Sequence, residues 1–313
     1  MKKIFWKSFI LMLTAALVLS GCQPKPAKSI QPAEPLPINL TDGLGRSIPI
    51  ANPAERIISL SPPLTEMLFA VEAGGQMVGR DSYSDYPTEA IKITDVGWTY
   101  GKYNLETVVN LKPDLVLAGE ITTPELVASL ENLGIKVFYL KNPTNLDEMY
   151  AMLKTVGTLS GHSTQAEALV KNLQQRASAL QVKLAKVTFR PTVFYELDAT
   201  DPSKPYTPGP GTLYTNLISM AGGENIGARL TTAWPQISLE QLLINDPTTI
   251  FLGDANFGTT PEMVGQRAGW QSLTAVKEGR VLPFDDNLLV RYGPRLLDGL
   301  EALIKILHPE IFK

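Results

Sequence analysis

Histidine and cysteine are almost absent from this chain of 313 residues. It contains two histidines, His162 and His308, and a single cysteine, Cys22. One cysteine excludes a disulfide within the chain. Zinc sites usually draw three or four ligands from His, Cys and carboxylates, and the two histidines lie far apart in sequence. We therefore expect neither a disulfide nor a metal site.

Motifs of common enzymes are missing as well. The sequence has no Gly-x-Ser-x-Gly nucleophile elbow and no Gly-x-x-x-x-Gly-Lys-Ser/Thr phosphate loop. Ser59 and Ser61 end a predicted strand, but no histidine is near them in sequence. We expect no catalytic residue and no cofactor. A binding protein is thus favoured, with a lipid-anchored enzyme or an adhesion module as the alternative from another class.

An excess of basic residues is also absent. The chain has 28 Lys and Arg against 31 Asp and Glu, which gives a formal charge of −3. Nucleic-acid binders usually carry a basic patch, so a nucleic-acid partner is not expected. Long apolar runs are missing after the first 22 residues, and we predict no membrane-spanning helix there.

The beginning of the chain has the features of an export signal. Three lysines among the first seven residues precede an apolar run over 9–19, which is too short to span a bilayer comfortably. The run ends in Leu19-Ser20-Gly21-Cys22, which resembles the lipobox of bacterial lipoproteins. This resemblance implies a signal peptide over 1–21 and a lipid on Cys22 that anchors the chain to the extracytoplasmic face of the cell membrane. An ordinary signal peptide is the alternative.

Proline dominates the next segment. Residues 22–42 contain prolines at positions 24, 26, 32, 35 and 37. Such a composition favours extended polyproline geometry and cannot build a core. We interpret 22–42 as a semi-rigid tether.

Strand and helix patterns alternate after the tether. Apolar runs over 56–60, 77–79, 114–118 and 136–140 predict buried strands, and helical patterns cover 63–71, 105–111 and 124–133. This alternation is typical of a parallel sheet covered by helices. We predict an N-terminal α/β lobe over 43–160.

A long helix follows this lobe. Residues 145–186 have a helical pattern, interrupted near Gly157 and Gly161, and 163–186 contain neither glycine nor proline. At 1.5 Å per residue, the last part would be a rod of roughly 36 Å. We predict a bridging segment over 161–188 and a C-terminal α/β lobe over 189–313.

The two predicted lobes share an internal repeat. Leu105-Glu106 is followed by Pro113 and Gly119, and Leu239-Glu240 is followed by Pro247 and Gly253 at the same spacings. The fold class that we predict is two similar α/β lobes with parallel sheets, joined by one long bridging α-helix.

Several of these segments resemble a known family, the class III solute-binding proteins of ABC importers. The resemblance rests on Arg56-Ile57-Ile58-Ser59-Leu60-Ser61-Pro62 with Thr65-Glu66, on 82–87, on 112–117 and on Gly222-Gly223-Glu224-Asn225. Ligands of this family include cobalamin, haem and ferric siderophores. Tyr83 to Pro87, Trp98 and Trp234 to Ser238 are most similar to the cobalamin-binding branch, whereas 196–198 and 285–291 depart from it.

The resemblance implies a small-molecule ligand between the lobes, of corrinoid type. Flat aromatic rings suit a macrocycle, and its contacts would be Tyr83, Tyr86, Trp98 and Trp234, with Asn287 and Arg291 on polar groups. It also implies that Glu66 and Glu224 dock onto arginines of a permease dimer, which works with ATPase subunits. A haem or siderophore ligand stays open, since tyrosines are plentiful and Arg80, Arg291 or Arg295 could meet an anion.

Overall fold

The secondary structure follows the predicted alternation closely. A computed structural model describes residues 38–98 and 103–312, all of which belong to one unit, Pro37–Lys313. The strands are β1 (Ile38–Thr41), β2 (Ser47–Ile50), β3 (Ile57–Ser59), β4 (Met77–Arg80), β5 (Leu115–Gly119), β6 (Val137–Leu140), β7 (Thr192–Glu196), β8 (Glu224–Asn225), β9 (Thr249–Leu252) and β10 (Val281–Pro283). The α-helices are α1 (Pro62–Ala70), α2 (Leu105–Asn110), α3 (Pro124–Asn132), α4 (Leu146–Ser160), α5 (Ser163–Leu184), α6 (Leu213–Met220), α7 (Leu239–Asn245), α8 (Pro261–Gly265), α9 (Thr274–Lys277), α10 (Asn287–Val290) and α11 (Leu296–Leu307).

Two four-stranded parallel sheets form the two lobes, and their topologies are the same. The N-terminal sheet has the order β4-β3-β5-β6, and the C-terminal sheet has the order β8-β7-β9-β10. In each lobe the first strand lies between the second and the third, and all pairs are parallel. The predicted fold class is therefore confirmed.

Helix α5 is the predicted bridge. It packs along α4 of the first lobe and also contacts α11 of the second. Its buried positions, Ala166, Val170, Leu173, Leu180 and Leu184, follow the helical period, and they join the core cluster that includes residues of both lobes. One continuous core thus connects the lobes through this helix.

The predicted break at Gly157 is wrong. Helix α4 continues through Gly157 to Ser160 and ends at Gly161, which has φ 79° in the left-handed region. A Cβ on Gly157 would lie 2.5 Å from the Cβ of Ala166. Glycine here permits the close approach of α4 and α5 and does not end the helix.

The predicted tether ends too late. Residues 38–41, assigned to it, form β1, which pairs antiparallel with β2. Leu40 and Ile48 pack against the core, and the Asp42 carboxylate accepts hydrogen bonds from the backbone N–H groups of Leu44 and Arg46 in the turn. Apolar and polar residues alternate over 38–41, and this strand pattern outweighs the extended geometry that the preceding prolines favour. The signal segment, Cys22 and residues 22–37 lie outside the described residues.

No helix in the described part of the chain has the length and apolar character needed to cross a bilayer.

Candidate ligand-binding cleft

The loops that follow the strands of the N-terminal sheet meet part of the C-terminal lobe at a cavity of about 300 Å³. Ligands of open parallel sheets bind outside the carboxyl ends of the strands, and this cavity has that position. Its lining comprises Ser61, Pro62, Pro63, Asp81, Tyr83, Trp98, Tyr103, Gly119, Glu120, Ile121 and Asn142 from the first lobe, and Asn287, Val290, Arg291 and Tyr292 from the second.

The aromatic wall of the cavity belongs to the first lobe. The rings of Tyr83 and Trp98 lie edge to face, with their centroids 5.0 Å apart. The Tyr103 hydroxyl donates a hydrogen bond to the carbonyl of Leu60, 3.2 Å away, at the end of β3. The Tyr83 and Trp98 rings are nearly perpendicular, so they form an aromatic corner against which the flat face of a large ligand can lie.

A buried carboxylate shapes the loop that carries Tyr83. Asp81 is 1% exposed, accepts a hydrogen bond from the backbone N–H of Tyr83 at 2.9 Å, and accepts another from the Ser84 hydroxyl. The hydroxyls of Ser84 and Thr65 in α1 are 2.8 Å apart. Burial raises the pKa of Asp81, against the hydrogen bonds from Ser84 and Tyr83 that lower it. The loop is therefore fixed to α1 before any ligand arrives.

The second lobe supplies the polar side of the cavity. Asn287 and Arg291 line it, as predicted from the sequence, and Tyr292 lies beside them. Burial raises the pKa of Tyr292 to about 12, so its hydroxyl keeps its proton at neutral pH.

Two of the six predicted ligand residues lie outside this cavity. Tyr86 packs under Arg295, whose guanidinium carbon is 4.0 Å from the ring centroid, and lines a neighbouring cavity of about 360 Å³. Trp234 is half exposed and lies edge to face with Tyr214 at 5.9 Å. The structure thus brings together Tyr83, Trp98, Asn287 and Arg291.

Other lining residues were missed by sequence reasoning. Glu120 and Ile121 directly follow β5, and Asn142 comes two residues after β6. Their positions after predicted strands were the available signal, because ligands gather at the carboxyl ends of parallel strands.

Glu66 was predicted to dock onto arginines of a permease, which requires an accessible carboxylate, but the structure buries this side chain. It is 3% exposed and forms ion pairs with two arginines of the other lobe. Arg295 donates from Nε to Oε2 at 2.8 Å and from Nη2 to Oε1 at 2.5 Å, and Arg291 Nη1 is 3.3 Å from Oε1. Glu66 is buried because its face of α1 packs against the C-terminal lobe, so its carboxylate is unavailable to a partner here.

Glu224, the other predicted docking residue, is exposed at the start of β8. Its carboxylate is 2.5 Å from Arg229 Nη2, and both side chains are about half exposed. A docking role for Glu224 stays a prediction.

The cations that could serve an anionic ligand are all engaged. Arg80 donates to the carbonyls of Ala90 and Asp81 and pairs with Asp95 at 3.6 Å. Arg291 and Arg295 pair with Glu66, and Arg291 also pairs with Asp85 at 2.5 Å.

Metal ligands do not gather anywhere in residues 38–98 and 103–312. No group of three or more His, Cys, Asp or Glu side chains there could hold an ion.

Comparison with known proteins agrees with this geometry. Residues 57–288 match the family described as periplasmic binding protein. The uncharacterized ABC transporter substrate-binding lipoprotein YvrC of Bacillus subtilis is 31% identical over 311 residues, 96% of each chain. A vitamin B12-binding protein of Pectobacterium atrosepticum is 35% identical over 245 residues, 78% of this chain and 85% of the relative. The crystal structure of a possible iron-binding, periplasmic solute-binding protein of Staphylococcus epidermidis superposes with a TM-score of 0.73 at 27% identity, covering 82% of this chain and all of that one.

Proposed function

Because the chain belongs to the periplasmic binding protein family, we propose that it captures a corrinoid in the cleft and delivers it to an ABC importer. Its relatives support the general role directly: the chain is an extracytoplasmic substrate-binding protein of an ABC transporter, with a permease and ATPase as partners. The ligand class within that role is our proposal.

The observation that carries the corrinoid assignment is the pairing of an aromatic wall with a polar wall that contains an amide. Tyr83 and Trp98 form the first, and Asn287 contributes an amide to the second. A corrin ring is apolar on its faces and carries peripheral amides, so it suits one wall with its face and the other with its edge. The vitamin B12-binding relative supports the same ligand class.

A corrinoid is larger than a cavity of about 300 Å³, so only one part of it can lie inside. The remainder would lie at the mouth, where Tyr83 is 55% exposed. Trp234, 49% exposed on the second lobe, stays a predicted contact there, and so does Tyr86. The loops at the mouth must separate to admit the ligand.

A ferric ligand is the second candidate, favoured by the similarity to the possible iron-binding protein. Haem would need an axial tyrosinate or histidine. No histidine lies among the described residues of the lining, so an axial ligand would have to come from one of its tyrosines, and burial raises the pKa of Tyr292 to about 12, which opposes its ionisation. An anionic siderophore would need an unpaired cation, and Arg80, Arg291 and Arg295 are all paired. A corrinoid fits the cleft better.

The experiment is a calorimetric titration of the purified protein with cyanocobalamin. We expect binding, and we expect Trp98→Ala to weaken it by on the order of tenfold, because each 1.4 kcal/mol of lost aromatic contact is a decade in affinity. Phe189→Ala is the matched control, since Phe189 is 66% exposed and precedes β7 at the opposite edge of its sheet. Trp234→Ala tests whether the ligand extends to the second lobe.

Absence of binding at high micromolar cyanocobalamin would remove the corrinoid assignment. An iron-containing coloured protein after growth with haem or a ferric siderophore would then support the second candidate.

The membrane anchor is proposed from the sequence pattern at Cys22, in keeping with the lipoprotein relative.

Docking onto the permease needs a different pair of glutamates from the predicted one, because Glu66 is buried. The repeat offers Glu106 and Glu240, the second residues of α2 and α7, and both are exposed. Equivalent positions on two similar lobes suit the two equivalent subunits of a dimeric permease.

A further inference from the structure

An ion cluster spans the two lobes beside the cavity. Glu66 and Asp85 belong to the first lobe, and Arg291 and Arg295 belong to the second. The side chains of Glu66, Arg291 and Arg295 are 2%, 12% and 17% exposed, whereas Asp85 is 61% exposed at the mouth. Two carboxylates therefore balance two guanidinium groups.

Arg291 belongs both to this cluster and to the cavity. It is the one cation among the described residues that line the cavity. Both of its ion pairs use Nη1, and the described residues give Nε and Nη2 no hydrogen bond. Its remaining N–H groups are thus free to donate to a ligand, while its charge is already neutralised.

Asp85 is ionised in this arrangement. Burial acts to raise its pKa, but the hydrogen bond and charge of Arg291 outweigh this effect and hold the pKa below its usual range. The other charged residues of the lining, Asp81 and Glu120, are acidic. No uncompensated positive charge faces the cavity from its described lining.

We propose that Asp85 and Glu66 determine the charge specificity of the cleft by neutralising Arg291. Arg291 then donates hydrogen bonds to uncharged acceptors, such as amide carbonyl oxygens, and the cleft discriminates against ligands that carry a carboxylate at that position. The inference rests on the proposed function, since it assumes that the ligand occupies this cleft.

The test compares a neutral ligand with matched anions. Cyanocobalamin and its b-, d- and e-monocarboxylic acids differ by one peripheral amide that has become a carboxylate. Asp85→Asn removes one negative charge and keeps an oxygen that can accept from Arg291. Glu131→Gln is the control, because Glu131 also pairs with an arginine, Arg46, but does not line the cavity.

We expect the wild type to bind at least one monocarboxylic acid more weakly than cyanocobalamin. Asp85→Asn should reduce that discrimination several-fold and by at most about tenfold, since an ion pair with an exposed partner contributes up to about 1 kcal/mol, and a decade in affinity corresponds to about 1.4 kcal/mol. The control should keep the wild-type ratio. Adding Arg291→Gln to Asp85→Asn should abolish the improved relative affinity for the monocarboxylic acid, because the guanidinium that lost its partner is then absent.

An unchanged ratio in Asp85→Asn would overturn the inference while leaving the corrinoid assignment intact. If cyanocobalamin does not bind, the corrinoid assignment fails by itself. The ratio of the affinities for haem and for its neutral dimethyl ester is then compared between the wild type and Asp85→Asn, and an unchanged ratio overturns the inference. A protein that binds neither pair also overturns the inference.

Discussion

Glu196 shows how a single buried carboxyl group can make the stability of this protein depend on pH. It ends β7, is fully buried, and accepts two hydrogen bonds from Arg267 at 2.6 and 2.8 Å. Asp254 lies nearby, and its Oδ1 is buried without a hydrogen-bond partner in the part of the chain that the structure describes. Burial raises the pKa of Glu196 to about 7, Arg267 opposes the rise, and the Asp254 charge adds to it.

The sign of the pH effect follows from this raised pKa. Below the ordinary value of 4.5 the carboxyl is protonated in both folded and unfolded chains. Between 4.5 and about 7 only the folded protein holds the proton, so this group's stabilisation is lost as pH rises through that window, by about 3 kcal/mol in total. Urea unfolding from pH 5 to 8 should show the wild type losing stability relative to Glu196→Gln.

Glu301→Gln serves as the control for this series. The hydrogen bond from Lys305 lowers the pKa of Glu301, so its titration falls below the window. Parallel curves for the wild type and Glu196→Gln would contradict the assignment of the proton to Glu196.

At the scale of elements, the packing of α4 against α5 depends on Gly157. A Cβ there would lie 2.5 Å from the Cβ of Ala166 and 3.0 Å from the carbonyl oxygen of His162. Alanine is favoured over glycine inside a helix by about 1 kcal/mol, but overpacking costs about 1 to 3 kcal/mol. The clash involves the start of α5, which cannot move without shifting the rest of this bridging helix.

We therefore expect Gly157→Ala to lower the free energy of unfolding by up to about 2 kcal/mol, measured by urea denaturation. Gly265→Ala in α8 is the matched control, because a Cβ at Gly265 meets no atom within 4 Å. The control should be as stable as the wild type or more stable. A stabilised Gly157→Ala would show that helix propensity outweighs the contact with α5.

At the scale of the whole molecule, the two lobes present equivalent surfaces. Helices α2 and α7 each precede the third strand of their sheet, and they begin at the edge where the parallel strands end. Glu106 and Glu240 lie in the first turns of these helices. Their exposed carboxylates thus occupy equivalent positions on the two lobes, as our proposed docking to the permease requires.

Replacing both, Glu106→Ala with Glu240→Ala, should weaken binding to the reconstituted importer by tenfold or more, because charge pairs at such interfaces commonly contribute one or more decades of affinity. Ligand affinity measured without the importer should not change. Glu55→Ala with Glu278→Ala is the control, since these exposed glutamates precede β3 and β10 at the opposite edges of the sheets. Equal binding of both double variants to the importer would exclude the docking role of Glu106 and Glu240. Glu224→Ala tests the docking residue predicted from the sequence separately.

Much of the fold could be predicted from the sequence, because local patterns encode it. Buried parallel strands appear as short apolar runs, and α3 begins after Thr123, a residue type that favours the N-cap position and here accepts a hydrogen bond from the backbone N–H of Leu126. The absence of glycine and proline over 163–186 predicted α5, and the spacing from Leu105 and Leu239 predicted the two lobes. These signals depend only on neighbours along the chain.

The sites depended on tertiary structure, because they join residues far apart in the sequence, such as Glu66 and Arg295, which are 229 positions apart. An exposed and a buried glutamate look the same in sequence, and only the packing of the lobes placed Glu66 against Arg291 and Arg295. The same packing brought Trp98 and Asn287 to one cavity and left Trp234 outside it. The sequence by itself thus determined the elements and their repeat, whereas burial and charge pairing between lobes arose only when the folded chain removed these groups from water.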